Sequence, residues 1–242
     1  MKKTVAKRAA RRMVSSRNFY LFLIFIASLA VFTVINPLYM SVNNIKNILY
    51  SVTVSGIVMV GMGNLLISGN MDLSAGAVGC FSAIMGVFLI NAGCPWVIAV
   101  LAALACGAVC GLINAAMTYK FGIMPFIGTL GISYVWKGLG NVLTNDADIN
   151  VTNESFFSLG STKIGEFPVA FLYVIALCLL YGLIMKYTKF GRKVYMCGGN
   201  KTAARLAGIK IERVGTIMMV NCSCLAAFAG IDVYKRQEPG RN

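Results

Sequence analysis

The stretch ISGNMDLSAG, residues 67–76, decides how this chain folds, because it places an acidic side chain between two long apolar segments. About twenty almost wholly apolar residues precede it, and a second apolar run follows it. A charged side chain within a membrane segment is costly, and it therefore indicates a specific role. Gly69 and Gly76 bracket Asp72, and the stretch predicts a helix that is broken near residues 69–76.

The composition of the whole chain indicates a membrane protein. Its 242 residues are 58% hydrophobic and only 12% charged, whereas soluble domains carry roughly 25% charged residues. The mean hydropathy is +0.75. Because about twenty apolar residues cross a bilayer as a helix, the sequence predicts an all-α, polytopic bundle of about seven spans. The predicted spans are residues 19–36, 48–68, 74–91, 95–118, 124–144, 167–186 and 214–231.

The basic residues follow the membrane topology. Seven of them lie between Lys2 and Arg17, and eight lie between Lys186 and Arg213. The positive-inside rule places both segments in the cytoplasm, and alternation of the predicted spans agrees. The net charge of +14 is therefore a topology signal. It does not form a soluble basic face with interleaved aromatic residues, so we expect no nucleic-acid partner.

The inventory of reactive side chains predicts no catalytic or metal site. The chain has no histidine, and its eight cysteines form no C-x-x-C pair. The sequence GGNKT, residues 198–202, resembles a Walker A loop only superficially, because Asn200 stands where a glycine should precede Lys201. We therefore expect that the chain itself binds no nucleotide or other cofactor.

Two interpretations of Asp72 stay open. Broken helices at membrane depth often form transporter binding sites. Alternatively, Asp72 caps the following span by accepting a hydrogen bond from the amide of Ser74 or Ala75, near the inner interface where a charge costs little. The two roles are compatible.

Two further stretches carry recognisable patterns. In residues 122–138, Pro125 suits the first turn of a helix, and three glycines would let another helix approach closely. In residues 188–214, Asn200 is a plausible N-cap and Gly208 suits the position just past a helix end. The short amphipathic helix between them either rests on anionic lipid or docks a soluble partner. The three glycines in residues 122–138 are Gly128, Gly131 and Gly138.

These three stretches, in this order, resemble the permease subunits of bacterial ABC sugar importers, which include the ribose, galactoside, xylose and arabinose permeases. The first resembles the motif I-T-G-G-I-D-L-S-x-G-S, with Asn70 and Ala77 departing from the usual glycine and serine. The second matches P-F-I-x-T-L-G at Pro125, Phe126, Ile127, Thr129, Leu130 and Gly131. The third matches F-G-R followed by G-G-N-x-x-A-A-x-x-x-G-I over residues 190–209.

The resemblance implies a function and a set of partners. It implies a transport subunit, not an enzyme, that forms a pathway for a monosaccharide across the bacterial inner membrane. A second permease subunit, a periplasmic or lipid-anchored substrate-binding protein and a separate ATPase that binds the ATP are the implied partners. The implied pathway residues are Gly69, Asn70, Asp72, Ser74, Gly76, Pro125, Phe126 and Thr129. The implied ATPase-coupling residues are Gly191, Arg192, Gly198, Gly199, Asn200, Ala203, Ala204, Arg205 and Gly208.

The resemblance also divides the chain and leaves alternatives. It predicts a basic cytoplasmic N-terminus (1–18), a permease domain (19–231) and a polar tail (232–242) that departs from the pattern. We expect that the chain is truncated at that end. A permease for nucleosides, an autoinducer or branched-chain amino acids stays possible within the same class. An ion-coupled secondary transporter using Asp72 is the alternative from another class.

Overall fold

The computed structural model describes residues 17–151, 163–164, 167–168 and 170–234. Residues 1–16 of the predicted basic N-terminus and residues 235–242 of the predicted polar tail lie outside these residues. Nine α-helices and two short strands follow one another among the described residues. They are α1 (Arg17–Ile35), α2 (Val42–Ile67), α3 (Ala75–Asn91), α4 (Trp96–Tyr119), α5 (Pro125–Thr144), β1 (Lys163–Ile164), β2 (Phe167–Pro168), α6 (Ala170–Tyr187), α7 (Lys189–Gly199), α8 (Lys201–Leu206) and α9 (Ile211–Tyr234).

The predicted all-α class is confirmed. Seven of the helices, α1 to α6 and α9, cover the seven predicted spans. Helices such as α2 and α9 extend a few residues beyond the predicted spans, because a helix continues past the apolar part that crosses lipid. The strands β1 and β2 are two residues each and pair antiparallel, with Ile164 opposite Phe167.

The helices differ in how well they fit a bilayer. By length and apolarity, three described helices could cross a membrane: α2, α4 and α9. A fourth is possible if α6 and α7, which meet at a bend of 80°, are counted as one span. Two shorter apolar segments, Phe19–Ile35 and Ala75–Asn91, complete the set among the described residues. Large apolar side chains are exposed along many of the helices, as expected for a protein surrounded by lipid.

Of the described residues, 17–48 form a compact unit. This unit contains α1, a 3-10 helix at Pro37–Met40 and the start of α2. The side chain of Asn36 caps the 3-10 helix by accepting a hydrogen bond from the Leu38 amide at 3.0 Å. Phe32 stacks on Tyr39 with ring centroids 5.5 Å apart. These contacts fix the turn between α1 and α2.

The centre of the second unit, from Leu49 onward, is a close packing of α9 against α3 and α4. Glycines make this approach possible. A Cβ atom built at Gly79 would lie 2.7 Å from the carbonyl oxygen of Ala226, and one at Gly111 would lie 2.7 Å from the Cα atom of Val220. Helices in lipid associate mainly by van der Waals packing, which close backbone approach maximises.

Among the described residues, no helix backbone approaches α5 at the three glycines for which close packing was predicted. Cβ atoms built at Gly131 and Gly138 would meet no described atom within 4 Å, and one at Gly128 would meet mainly the nearby Ile123 side chain. The glycine of α5 that faces another helix is Gly140, whose Cβ would lie 3.2 Å from Ile84 Cδ1 on α3. Glycine content alone does not indicate which face of a helix is packed.

We predict that Gly111→Val separates α4 from α9. The added side chain would overlap the α9 backbone at Val220, and overpacking of this kind costs about 1–3 kcal/mol. The midpoint of thermal unfolding in detergent should therefore fall. Gly138→Val is the matched control, because a Cβ atom there meets no described neighbour. Equal midpoints for the two variants would contradict the packing described for α4 and α9.

Candidate functional site

The helix break predicted near residues 69–76 is present. Helix α2 ends at Ile67 and α3 begins at Ala75. Gly69 adopts φ +79°, a left-handed conformation that favours glycine and ends α2. The Asn70 amide donates a hydrogen bond to the Leu65 carbonyl at 3.3 Å, as expected for a left-handed helix end. The chain then runs without regular structure until α3 begins.

Asp72 lies at the centre of a buried polar network within this break. Its side chain is fully buried. Oδ1 accepts hydrogen bonds from the Ser74 amide at 2.8 Å and from the Ser74 hydroxyl at 2.6 Å. Oδ2 accepts from Asn114 Nδ2 on α4 at 3.1 Å, and the same Nδ2 donates to Ser74 Oγ at 2.7 Å. The predicted hydrogen bond from the Ser74 amide to Asp72 is present, but Asp72 is not the N-cap of α3: that position is Ser74, which makes no side-chain capping bond.

The second motif contacts the break through Thr129 on α5. Its hydroxyl oxygen accepts a hydrogen bond from the Leu73 amide at 3.0 Å and donates to the Pro125 carbonyl at 2.7 Å. Thr129 is fully buried. Pro125 occupies the first turn of α5, as predicted. The break is therefore held by side chains from two further helices, Asn114 from α4 and Thr129 from α5.

Asn114 is a site residue that the sequence reasoning missed. It is fully buried and provides two of the four side-chain hydrogen bonds that join Asp72, Ser74 and Asn114. Its Oδ1 has no partner among the described residues. A lone amide inside the apolar run LINAAM, residues 112–117, was the available signal, because polar side chains within membrane segments rarely lack a partner.

The third motif reaches the same break from the other side, through the C-terminal end of α7. A Cβ atom built at Gly198 would lie 1.9 Å from the Ile67 carbonyl oxygen and 3.1 Å from the Gly69 nitrogen. No side chain fits between these two backbones. Val194 and Cys197 of α7 also belong to the apolar cluster that contains Leu65 and Ala75, the residues flanking the break.

The bend between α6 and α7 directs α7 towards the break. Thr188 caps α7 by accepting a hydrogen bond from the Gly191 amide at 3.0 Å, while its hydroxyl donates to the Ile184 carbonyl at 2.6 Å. A Cβ atom built at Gly191 would lie 2.2 Å from the Met185 carbonyl oxygen. The 80° bend therefore requires glycine at position 191, which explains its place in the F-G-R motif.

Helix α8 lies at the surface of the bundle. Asn200 caps it by accepting a hydrogen bond from the Ala203 amide at 3.0 Å, and Gly208 follows its end at φ +76°; both features were predicted. Ala204 is fully buried, whereas Leu206 is 85% exposed. Arg205 pairs with Glu212 at 3.3 Å, at the start of α9. A short helix that presents an exposed leucine is suited to docking a partner.

The structure divides the sequence-predicted residues into two groups. Of the predicted pathway residues, four are buried: Asn70, Asp72, Ser74 and Thr129. The last three of these form the hydrogen bonds that hold the break. The exposed members are Gly69, Gly76 and Phe126, and Pro125 is half-buried. Of the predicted ATPase-coupling residues, Gly191 and Ala204 are buried and pack the loop onto the bundle. The exposed members are Arg192, Gly198, Gly199, Asn200, Ala203, Arg205 and Gly208.

We predict that Asp72→Ala destabilises the protein far more than Asp72→Asn. Alanine would leave the Ser74 amide without its acceptor and would remove one of the two acceptors of Asn114 Nδ2, and an unsatisfied buried donor costs about 1–3 kcal/mol. Asparagine keeps an oxygen where Oδ1 accepts both Ser74 bonds. For a chain of this size the alanine variant should unfold roughly 5–10 °C lower.

The matched control for this prediction is Asp148→Ala, because Asp148 is exposed. Thermal unfolding in detergent compares the three variants with the unmodified protein. If Asp72→Ala and Asp148→Ala unfold at the same temperature, the network does not hold the break.

Comparison with known proteins places this architecture in a family. Residues 44–239 match the family described as the branched-chain amino acid transport system / permease component. The ribose import permease of Escherichia coli K12 is 29% identical over 209 residues, covering 84% of this chain and 64% of that protein. The ribose import permease of Bacillus subtilis is 34% identical over 203 residues, covering 83% and 63%.

A third relative is named for a different sugar. The L-arabinose transport system permease of Escherichia coli K12 is 31% identical over 198 residues, covering 82% of this chain and 60% of that protein. The chain thus spans less than two thirds of the length of these relatives. No solved structure matches it. The match over residues 44–239 contains the broken helix, α5 and the α7–α8 loop, and the chain belongs to this family of multi-pass membrane permeases.

Proposed function

We propose that this chain is the membrane-spanning subunit of an ATP-driven importer for a monosaccharide or a similar polyhydroxylated solute. The family match and the names of the ribose and arabinose permeases support this substrate class. The chain lies in the bacterial inner membrane with its N-terminus in the cytoplasm, as its basic segments predict. It makes and breaks no bond of the sugar, and a separate ATPase binds and hydrolyses ATP.

The observation that carries this proposal is the contact between α7 and the broken helix. Gly198 touches the backbone between Ile67 and Gly69, so a displacement of the loop would act on the break directly. An importer driven by a separate ATPase needs such a contact, because its energy arrives at a cytoplasmic surface and is used within the membrane. Because the two backbones are in direct contact, and packed interiors transmit strain, α7 cannot move towards the break without displacing it.

The surface around α8 has the chemistry of a docking site. Leu206 is exposed on α8. A groove of about 460 Å³ lies between α7 and the start of α9, and Gly208, just past the end of α8, is one of its lining residues. Lys193, Lys210 and Arg213 line this groove. We expect an ATPase surface that receives the leucine in an apolar pocket and faces the three cations with carboxylates.

The buried network suggests different roles for the predicted pathway residues. Asp72, Ser74 and Thr129 satisfy one another and the break, so we propose that they position the pathway. Gly69, Gly76 and Phe126 are exposed and are the better candidates for lining it. A second permease subunit would complete the pathway, and a periplasmic or lipid-anchored binding protein would deliver the sugar to its outer end.

The ion-coupled alternative rests on Asp72 alone. In that reading a proton or sodium ion would bind the carboxylate and drive transport without ATP. The oxygens of Asp72 already accept three hydrogen bonds, and the α7–α8 loop has no part in that mechanism. The importer proposal explains both features, and we prefer it for that reason.

Gly198→Ala should uncouple transport from ATP hydrolysis. The added methyl group would lie 1.9 Å from the Ile67 carbonyl oxygen, so α7 and the break must separate. With the ATPase partner bound, we expect substrate-stimulated hydrolysis and sugar uptake to fall roughly 5- to 150-fold, the usual range of coupling between distant sites. Reconstituted vesicles with radiolabelled sugar and a phosphate-release assay measure both quantities.

The adjacent glycine provides the control. A Cβ atom at Gly199 meets no described atom within 4 Å, so Gly199→Ala should couple as the unmodified protein does. Both variants should still co-purify with the ATPase. If Gly198→Ala transports normally, the contact at the break is not the coupling route. If uptake by every variant proceeds without ATP, the importer proposal itself fails.

Leu206→Asp should weaken docking of the ATPase without destabilising the permease. The side chain is 85% exposed, and substitutions at exposed positions usually change stability by less than about 0.5 kcal/mol. Loss of an apolar anchor from an interface should weaken co-purification by about tenfold or more. Leu206→Met is the conservative control and should retain binding.

Ala204→Asp is the contrasting variant. Because Ala204 is fully buried in the apolar cluster, a carboxylate there should lower the unfolding temperature and disrupt the loop as a whole. Unchanged ATPase binding by Leu206→Asp would exclude α8 as the docking element.

A further inference from the structure

A second groove opens on the bundle beside the end of α2. It has a volume of about 710 Å³ and is lined by α2, α6 and α7. Its walls are apolar along most of their length, with Met59 and Ile67 on one side and Met185 on the other. Gly63 and Gly182 give it width, because a Cβ atom at either would meet no described atom within 4 Å.

One end of the groove is cationic. Lys186 at the end of α6 and Arg192 in α7 line it there, beside Tyr195. Neither cation forms an ion pair with a carboxylate in the part of the chain that the structure describes. Lys186 instead lies 5.3 Å from the centroid of the Tyr187 ring. The groove is therefore amphipathic, with an apolar length and a positively charged end.

The position of the charged end matches that of a lipid headgroup. It lies where the apolar helix α6 turns by 80° into the basic helix α7. Such a bend is expected where a chain leaves the hydrocarbon and runs along the membrane surface. The positive-inside rule places this end on the cytoplasmic side, whose leaflet carries anionic lipid. Exposed tyrosines such as Tyr195 are typical of this depth.

We propose that this groove binds one anionic phospholipid, with its phosphate between Lys186 and Arg192 and an acyl chain along Met59 and Met185. The two cations complement a phosphodiester, and the apolar walls complement a hydrocarbon chain. A soluble anion would use the cations but leave the apolar length unoccupied, whereas a zwitterionic lipid would fill the groove without neutralising both cations. The anionic phospholipid satisfies both parts.

The proposal does not depend on the transported substrate. Lys186 belongs neither to the helix break nor to the predicted ATPase-coupling residues, whereas Ile67 ends α2 at the break and Arg192 is one of the predicted coupling residues. Lys186→Gln is therefore the variant that separates bound lipid from transport. Loss of lipid with normal transport would leave the importer proposal intact.

The test is quantification of lipid that co-purifies with the full chain from membranes in mild detergent. Native mass spectrometry or phosphorus analysis with chromatography gives the ratio of anionic to zwitterionic phospholipid. Lys186→Gln and Arg192→Gln should each weaken retention of the anionic lipid about fivefold, and the double variant more than tenfold, since a basic residue near a membrane surface contributes about that factor. A double variant at Lys120 and Lys201, exposed cations outside the groove, is the charge-matched control.

A second variant tests the apolar part independently of charge. Gly182→Trp should place an indole in the groove, because the Cβ position there has no described atom within 4 Å, and should displace the lipid while both cations remain. Gly138→Trp on α5, which also faces open space, controls for the bulky residue. Thermal unfolding should be unchanged in both tryptophan variants.

Three outcomes would overturn the proposal. The first is an anionic-lipid ratio in the double glutamine variant equal to that of the charge-matched control. The second is retention of zwitterionic lipid in preference to phosphatidylglycerol in vesicles that contain both. The third is a change of oligomeric state in Gly182→Trp with lipid content unchanged, which would assign the groove to a second copy of the chain.

Discussion

A helix that breaks inside an apolar bundle exposes backbone groups that water cannot reach, and the rest of this site depends on how those groups are satisfied. The amide of Leu73 bonds to Thr129, and the amide of Ser74 bonds to Asp72. Asn114 then completes the coordination of Asp72. Because unsatisfied polar groups in hydrocarbon cost several kcal/mol each, α4 and α5 must stay in register with the break. Asp72 has a structural role in this apolar chain, because its carboxylate accepts a backbone hydrogen bond from the Ser74 amide where the helix is interrupted.

The same constraint explains why small residues dominate the centre of the bundle. Lipid tails are as apolar as leucine, so apolar area alone does not draw helices together. Close backbone approach does, and Gly79 and Gly111 bring α3 and α4 to within contact of the α9 backbone. The loop uses the same device at Gly198 against Ile67.

Features governed by local chemistry could be predicted from the sequence, and features governed by long-range packing could not. The break, the cap at Asn200 and the turn at Gly208 follow from a few neighbouring residues. Helix α7 was missed because three of its 11 residues are glycines, which disfavour a helix locally. Its stability depends on burial of residues such as Val194 in the bundle. The role of Asn114 depends on Asp72, 42 positions away, and no pattern within α4 indicates that partner.

Helix α7 connects the features that sequence reasoning treated separately. Its buried face carries Val194 and Cys197 towards the break, while Arg192 and Tyr195, on a neighbouring face, line the groove. The helix has only 11 residues, so it has too little length to bend between these contacts. A displacement at Gly198 must therefore shift Arg192 as well. Whatever occupies the groove shares a rigid element with the broken helix, and its binding energy biases the position that α7 adopts against the break.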